Sequence, residues 1–272
     1  MEGENGALAM AYRRGDALIN TGISFRVLSC GITWLVELIG WPLVRILYGY
    51  RSFGRKNLYR APRGPIIYVS NHAIPLDPLL HGLSLLPKLL YYTLLEETVL
   101  TPVLGTLVRL LGGIPLPADR GRALDMENAM TQALKTRGKL HFYPEGECFL
   151  LNQEIRNFKA GAFYAAIRHG VPIQPLVTVI KRRRLLGRRG IKAEIHVLEA
   201  VRPPPSTGRL IADLHEALRF AEQIRGHMQQ SVDSAGGDKS LYRGPMPRIK
   251  GVNDKNRDGG RPGNKKSPSK SR

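Results

Sequence analysis

Cysteine is nearly absent: the 272 residues contain two, Cys30 and Cys148. Far apart and in different contexts, they exclude a disulfide framework and a four-cysteine metal site. The cytosolic side of a membrane is the natural compartment. Acidic residues are scarce too. Twenty-two Asp and Glu stand against 41 Lys and Arg, a net charge of +19, which calls for an anionic partner such as nucleic acid, anionic lipid or a phosphorylated metabolite. The histidines lack the paired spacing of a zinc site, so no metal is expected. Met1 to Gly22 has no signal-peptide arrangement, because Arg13-Arg14 is not followed by an apolar run and a small-residue cleavage site.

Long apolar runs are missing except for one, Val27 to Val44, which holds Glu37 and Pro42. A crossing needs about 20 apolar residues, and a mid-helix charge is costly in hydrocarbon. The segment is therefore expected to lie in, or dip into, a membrane interface. Trp34, Trp41, Tyr48 and Tyr50 suit the headgroup level, and Arg45, Arg51, Arg55 and Lys56 follow where anionic headgroups would sit. A buried amphipathic helix packed on a core is the alternative.

From Pro65 onward, short apolar runs alternate with helical stretches, which predicts an α/β fold with a mixed central sheet flanked by helices. Strands are expected at 65–70, 89–95, 139–143, 173–180 and 191–201; helices at 99–111, 122–137, 158–169 and 210–228. Beyond Ser231, polar residues and Gly, Lys and Pro dominate, which predicts disorder. The expected organisation is a flexible start (1–22), a membrane-associating helical segment (23–55), a single α/β domain (56–230) and a disordered basic tail (231–272).

The strongest chemical signal is Asn71-His72-Ala73-Ile74-Pro75-Leu76-Asp77 at the end of a predicted strand. A histidine steadied by a carboxylate is a base able to take a hydroxyl proton near neutral pH. Downstream, Pro144-Glu145-Gly146 also ends a strand, and the ends of strands in an open α/β sheet share a ligand-binding rim. Gly113 to Arg120 supplies a glycine turn and a cation, and Val171 to Pro175 leads into a further strand.

These blocks, in this order, resemble those of the glycerolipid acyltransferase family, typified by 1-acylglycerol-3-phosphate acyltransferase, over roughly residues 66–179. The Asn-His, four residues, Asp block stands as Asn71, His72 and Asp77; the Pro-Glu-Gly block as Pro144, Glu145 and Gly146; the Phe-Lys-x-Gly-Ala block as Phe158, Lys159, Gly161 and Ala162. Where phosphate-acceptor members read Thr-Arg after the glycine, this chain has Glu147 and Cys148.

The resemblance implies transfer of a fatty acyl group from acyl-CoA or acyl carrier protein to a lysolipid hydroxyl, with no cofactor. The acceptor it implies is 1-acyl-sn-glycerol-3-phosphate, with lysophosphatidylcholine or lyso-ornithine lipid as alternatives. His72 would be the general base and Asp77 its partner. Asn71, Arg120, Glu145, Gly146 and Lys159 would contact substrate, although Glu145 could instead accept loop amides. Cys148 is expected to be a buried filler, since its neighbour Glu147 disfavours a thiolate. The implied partners are membrane lipids at the cytoplasmic face. The cations Lys181 to Arg184, Arg188, Arg189 and Lys192 would face anionic headgroups or the carrier's phosphates, or form a solvated loop. A nucleic-acid-binding protein is the different-class alternative, but zinc-finger spacing, a helix-turn-helix pattern and aromatics interleaved with cations are all lacking.

Overall fold

The computed structural model describes residues 11–185 and 188–247. Strand β2 (Ile66–Ser70) forms where the apolar run predicts it, with all five residues buried, as in a strand covered on both faces. It lies at the centre of a seven-stranded sheet with β1 (Arg51–Phe53), β3 (Tyr91–Leu95), β4 (Gly113–Leu116), β5 (Lys139–Phe142), β6 (Ile173–Leu185) and β7 (Arg188–Val197), in the order β1-β7-β6-β2-β5-β3-β4. Strands β4, β3, β5, β2 and β6 run parallel, β7 runs antiparallel to β6, and β1 is parallel to β7. The sheet is mixed, as expected. Its helices are α1 (Ile23–Tyr48), α2 (Asn57–Arg60), α3 (Asp77–Leu85), α4 (Glu96–Val99), α5 (Leu104–Leu110), α6 (Ala123–Thr136), α7 (Gly161–His169) and α8 (Leu210–Ser234).

Period-two alternation decides what reaches the site. Ile67 and Val69 join a core with Ala133 of α6, Phe163 of α7 and Phe220 of α8. Ile66 and Tyr68 join the opposite core with Leu80 and Leu83 of α3 and Val44 of α1. Ser70, two residues past Tyr68, therefore turns toward α3. Thr178 has the same parity as Leu176 and Ile180, which belong to the α3 core. His141 lies between Leu140 and Phe142, which belong to the other core, so it too faces α3.

Helix α1 is inverted relative to a surface helix in water. Ser29, Thr33, Glu37 and Gly40 face the protein, whereas Val27, Leu35, Leu38, Ile39 and Ile46 are exposed. Phe25 and Val44 anchor the two ends of the helix on the protein, but the apolar outer face stays uncovered, unlike that of an amphipathic helix buried on a core, and an exposed apolar stripe of this length marks an interaction surface.

Several boundaries move for local reasons. The helix expected over 99–111 breaks into α4 and α5, because Pro102 lacks a donor and Val103 takes a left-handed φ of 62°. The helix expected from 158 begins only at Gly161. The cations at 181–192 lie on the long β6–β7 ribbon rather than on a loop; Lys181 pairs with Lys192 in its register.

The start expected to be flexible over 1–22 is instead packed on the domain where it is described, with Tyr12, Leu18 and Ile19 buried in the core, while residues 1–10 lie outside those described; the domain also extends past 230. Helix α8 continues to Ser234, Asp238 N donates to Ile180 O at 2.9 Å, Arg243 N to Leu150 O at 3.0 Å and Met246 N to Cys148 O at 2.8 Å. The disorder expected over 231–247 is thus replaced by a strap laid along residues 148–150; residues 248–272 lie outside those described. Low local hydrophobicity misled here because backbone pairing holds the strap alongside a few apolar anchors, Val232, Ala235 and Leu241.

Candidate active site

Asp77 is the first residue of α3 and is wholly buried. Its Oδ2 accepts from Ala73 N at 2.7 Å and Ile74 N at 2.9 Å, so the loop closes on the carboxylate that ends it. The same oxygen lies 2.9 Å from His72 Nδ1. The carboxylate can only accept, so Nδ1 carries the donated proton and Nε2 is left with its lone pair. The His72 side chain is 19% exposed, and its ring stacks on Tyr143 with centroids 4.1 Å apart. The five-residue spacing does bring acid and base together.

Behind this pair runs a buried polar chain that sequence reasoning missed. Thr178 Oγ1 donates to Asp77 Oδ1 at 3.0 Å. It then accepts from His81 Nε2, also at 3.0 Å, so His81 Nδ1 accepts from the Tyr143 hydroxyl at 3.1 Å. Ser70 Oγ is 3.0 Å from His141 Nε2 and 3.3 Å from His81 Nδ1. Burial holds both imidazoles down to about 3 and the Tyr143 phenol well above its usual value, so all three stay neutral. In the sequence, His81 and His141 carry no assigned role beyond the lack of zinc-site spacing among the histidines. The signal that could have found them was strand and helix parity: His81 is one helical turn from Asp77, and Ser70, His141 and Thr178 share a face.

Thr178→Val removes the hydroxyl at nearly constant size. Because a hydrogen bond to a charged group contributes about 1.5–3 kcal/mol, kcat is expected to drop roughly 10-fold or more with KM little changed, and Thr178→Ser to restore it. An unaltered kcat in the valine variant would remove the threonine from the network.

The two neutral imidazoles also set acid stability. Below pH 6.5 an unfolded histidine takes up a proton that His81 and His141 refuse until about 3; each therefore costs the fold up to ~1.4 kcal/mol per pH unit as pH falls. Glu145 and Glu37, each held up to about 7 by burial, act in the opposite direction between pH 4.5 and 7, so the imidazole contribution is read by removing one of them. On going from pH 6.5 to 5 the urea midpoint of His141→Gln is expected to gain relative to that of the unaltered protein; an equal change in both proteins would contradict the assignment.

The other expected site residues divide. Asn71 is not a substrate contact: it is buried, and its amide is used at both ends on the main chain of Thr178, 2.8 and 3.0 Å away. It clamps the end of β2 to β6. Glu145 accepts from His72 N at 3.1 Å and Arg156 N at 3.2 Å, so its carboxylate takes the loop-amide role that the sequence left open beside substrate contact. Gly146 has φ +79°, and a Cβ there would meet Lys159 Nζ; the exposed lysine lies across the glycine. Arg120 opens the 3-10 turn after β4, and its side chain lies outside the described residues. A cation that sequence reasoning passed over, Arg156, sits beside this loop with its guanidinium 4.6 Å from the Phe149 ring. Cys148 is buried, and desolvation with Asp77 and Glu145 nearby pushes its thiol up to about 12, the opposite of a nucleophile.

Comparison with known proteins gives the same picture. Residues 52–179 match the family model described as Acyltransferase. The chain is 30% identical over 212 residues to 1-acyl-sn-glycerol-3-phosphate acyltransferase alpha of Mus musculus, covering 73% of this chain and 71% of that protein. It is 33% identical over 132 residues to N-acylphosphatidylethanolamine synthase of Arabidopsis thaliana, spanning about half of each, 46% and 46%. In three dimensions it shares the fold of the 1-acyl-sn-glycerophosphate acyltransferase PlsC from Thermotoga maritima, with a TM-score of 0.50, 20% identity and 79% of each chain covered. The chain belongs to the acyltransferase family and is a glycerolipid acyltransferase.

Proposed function

We propose that the protein transfers a fatty acyl group from acyl-CoA or acyl carrier protein to the free hydroxyl of 1-acyl-sn-glycerol-3-phosphate at the cytoplasmic face of a membrane, giving phosphatidic acid. The observation that carries this reading is the partly exposed His72 ring held 2.9 Å from a wholly buried Asp77. His72 Nε2 takes the hydroxyl proton as the oxygen attacks the thioester carbonyl. The carbon–sulfur bond breaks, the thiolate leaves and is protonated, and Asp77 stabilises the imidazolium meanwhile.

Lys159, over Gly146, and Arg156, beside Glu145, supply cations at the loop where Glu147 and Cys148 stand in place of the usual Thr-Arg. They support an anionic acceptor, and with Arg120 form its proposed phosphate contacts. The outer face of α1 supports membrane association. Arg183 of the β6–β7 ribbon donates to Ile46 O at the end of that helix, so the ribbon's cations adjoin the apolar face, an arrangement that favours lipid over nucleic acid.

The reading is tested by incubating purified protein with radiolabelled acyl-CoA or acyl carrier protein and lysophosphatidate, lysophosphatidylcholine or lyso-ornithine lipid. Phosphatidic acid is the expected product, and Lys159→Ala is expected to raise KM for lysophosphatidate about tenfold. Faster acylation of either zwitterionic lysolipid would overturn the acceptor assignment.

A further inference from the structure

A groove of about 430 Å³ lies between the flank of α1, β1 and the C-terminal end of α3, lined by Trp34, Glu37, Trp41, Arg45, Arg51 and Arg55 among others. Strand β1 stands three strands from β2 in the sheet, about 14 Å at the usual strand spacing, so this is a different place from the His72 pair. Its charged groups, one carboxyl and three guanidinium groups, are unusually arranged. Glu37 is only 6% exposed, and its Oε2 has no hydrogen-bond partner. The carboxyl is seated by Gly82 of α3, where a Cβ would come within 2.6 Å of Oε1. Among the described residues no arginine pairs with it.

The arginines are occupied elsewhere or are free. Arg45 Nη1 donates to Tyr50 O at 2.8 Å and Arg55 Nη2 to Leu86 O at 2.7 Å, which pins each guanidinium while leaving other N–H groups. Arg51 has no side-chain partner among the described residues. A buried, unpartnered acceptor therefore shares one groove with unspent cationic donors and two indole rings. Burial raises the Glu37 carboxyl to about 7; once ionised it repels a simple anion that the arginines would hold, and the arginines repel a simple cation that it would hold. A ligand carrying both charges satisfies every group: phosphate to the guanidinium forks, a protonated amine to Glu37 and the indole faces.

We infer that this groove is a headgroup site for an intact zwitterionic phospholipid bearing a phosphate and a protonated amine. Leu38, which lines the groove and is largely exposed on the apolar face of α1, gives the acyl chains a continuous path into the bilayer. The site goes beyond the acyl-transfer reading and stands whether or not that reading holds. It anchors the helix to one lipid by recognition rather than by apolar burial alone.

The chain's two tryptophans, Trp34 and Trp41, both line the groove, so intrinsic fluorescence reads its occupancy. Full-length protein is titrated with monomeric dihexanoyl phosphatidylethanolamine, dihexanoyl phosphatidylglycerol and adenosine 3′,5′-bisphosphate. The expected result is a saturable change with the first and at least tenfold weaker binding of the second and third. Glu37→Gln is expected to abolish the preference for the amine lipid by weakening it about tenfold, and Arg51→Gln, on the exposed edge strand, to weaken both lipids. Circular dichroism identifies any variant that fails to fold, and the ligand comparison on unaltered protein stands alone if one does. The proposal is overturned by no saturable response, by equal response to the two lipids, by a preference that survives Glu37→Gln, or by tighter binding of the bisphosphate, which would give the groove to the acyl donor.

Discussion

His72→Ala is expected to lower kcat for acyl transfer by about 10²- to 10⁴-fold, the usual contribution of a positioned general base, while leaving stability and membrane association nearly unchanged. The small structural effect follows from position. The side chain is partly exposed and stacks on Tyr143, and the contacts that close the loop are made by the main chain of residues 72–74 and the carboxylates of Asp77 and Glu145. Alanine keeps all of these. The comparison needs single-turnover rates beside far-ultraviolet circular dichroism and vesicle flotation. Residual turnover within a factor of three of the unaltered enzyme would end the assignment of His72 as base.

Asp77→Asn is expected to cost about as much in kcat, for a different reason, and to cost stability as well. The carboxylate accepts from His72 Nδ1, two backbone amides and Thr178. An asparagine amide group turned toward Ala73 and Ile74 would oppose their N–H groups with its own. Turned the other way it would oppose Thr178. Either orientation leaves a buried donor without an acceptor, worth about 1–3 kcal/mol. Catalytically, the loss of a two-sided acceptor frees the imidazole to adopt the wrong tautomer and leaves the imidazolium uncompensated, which can remove on the order of 10⁴-fold. KM should move much less than kcat. A rise in KM alone, with kcat preserved, would show that Asp77 shapes the binding pocket rather than acting through His72.

Part of this site is legible in residue order. The Asn-His, four residues, Asp block carries its own geometry, because a short loop ending at a helix start brings a carboxylate back to amides three and four residues earlier. What that block could not reveal is which neighbours use the same carboxylate. Thr178 lies 101 residues from Asp77, and His141 lies 71 residues from Ser70. No local pattern joins them; they meet because β2 takes β5 and β6 as its two neighbours in a particular register. The same holds for Asn71. Its place in the motif suggested a substrate contact, yet pairing of β2 with β6 brings the Thr178 main chain against its amide and removes it from solvent.

The sequence alone determined the α/β class, the apolar helix ahead of it and the closeness of His72 to Asp77, since each depends on residue order within a few turns or one strand. Tertiary structure alone decided that α1 turns its polar stripe inward, that residues 231–247 are ordered, and that His81 and His141 stand behind the Asp77 carboxylate. The physical reason is common to all three. Burial and hydrogen-bond satisfaction are properties of what surrounds a group, and for Glu37, Asp238 and His81 those surroundings arrive from distant parts of the chain.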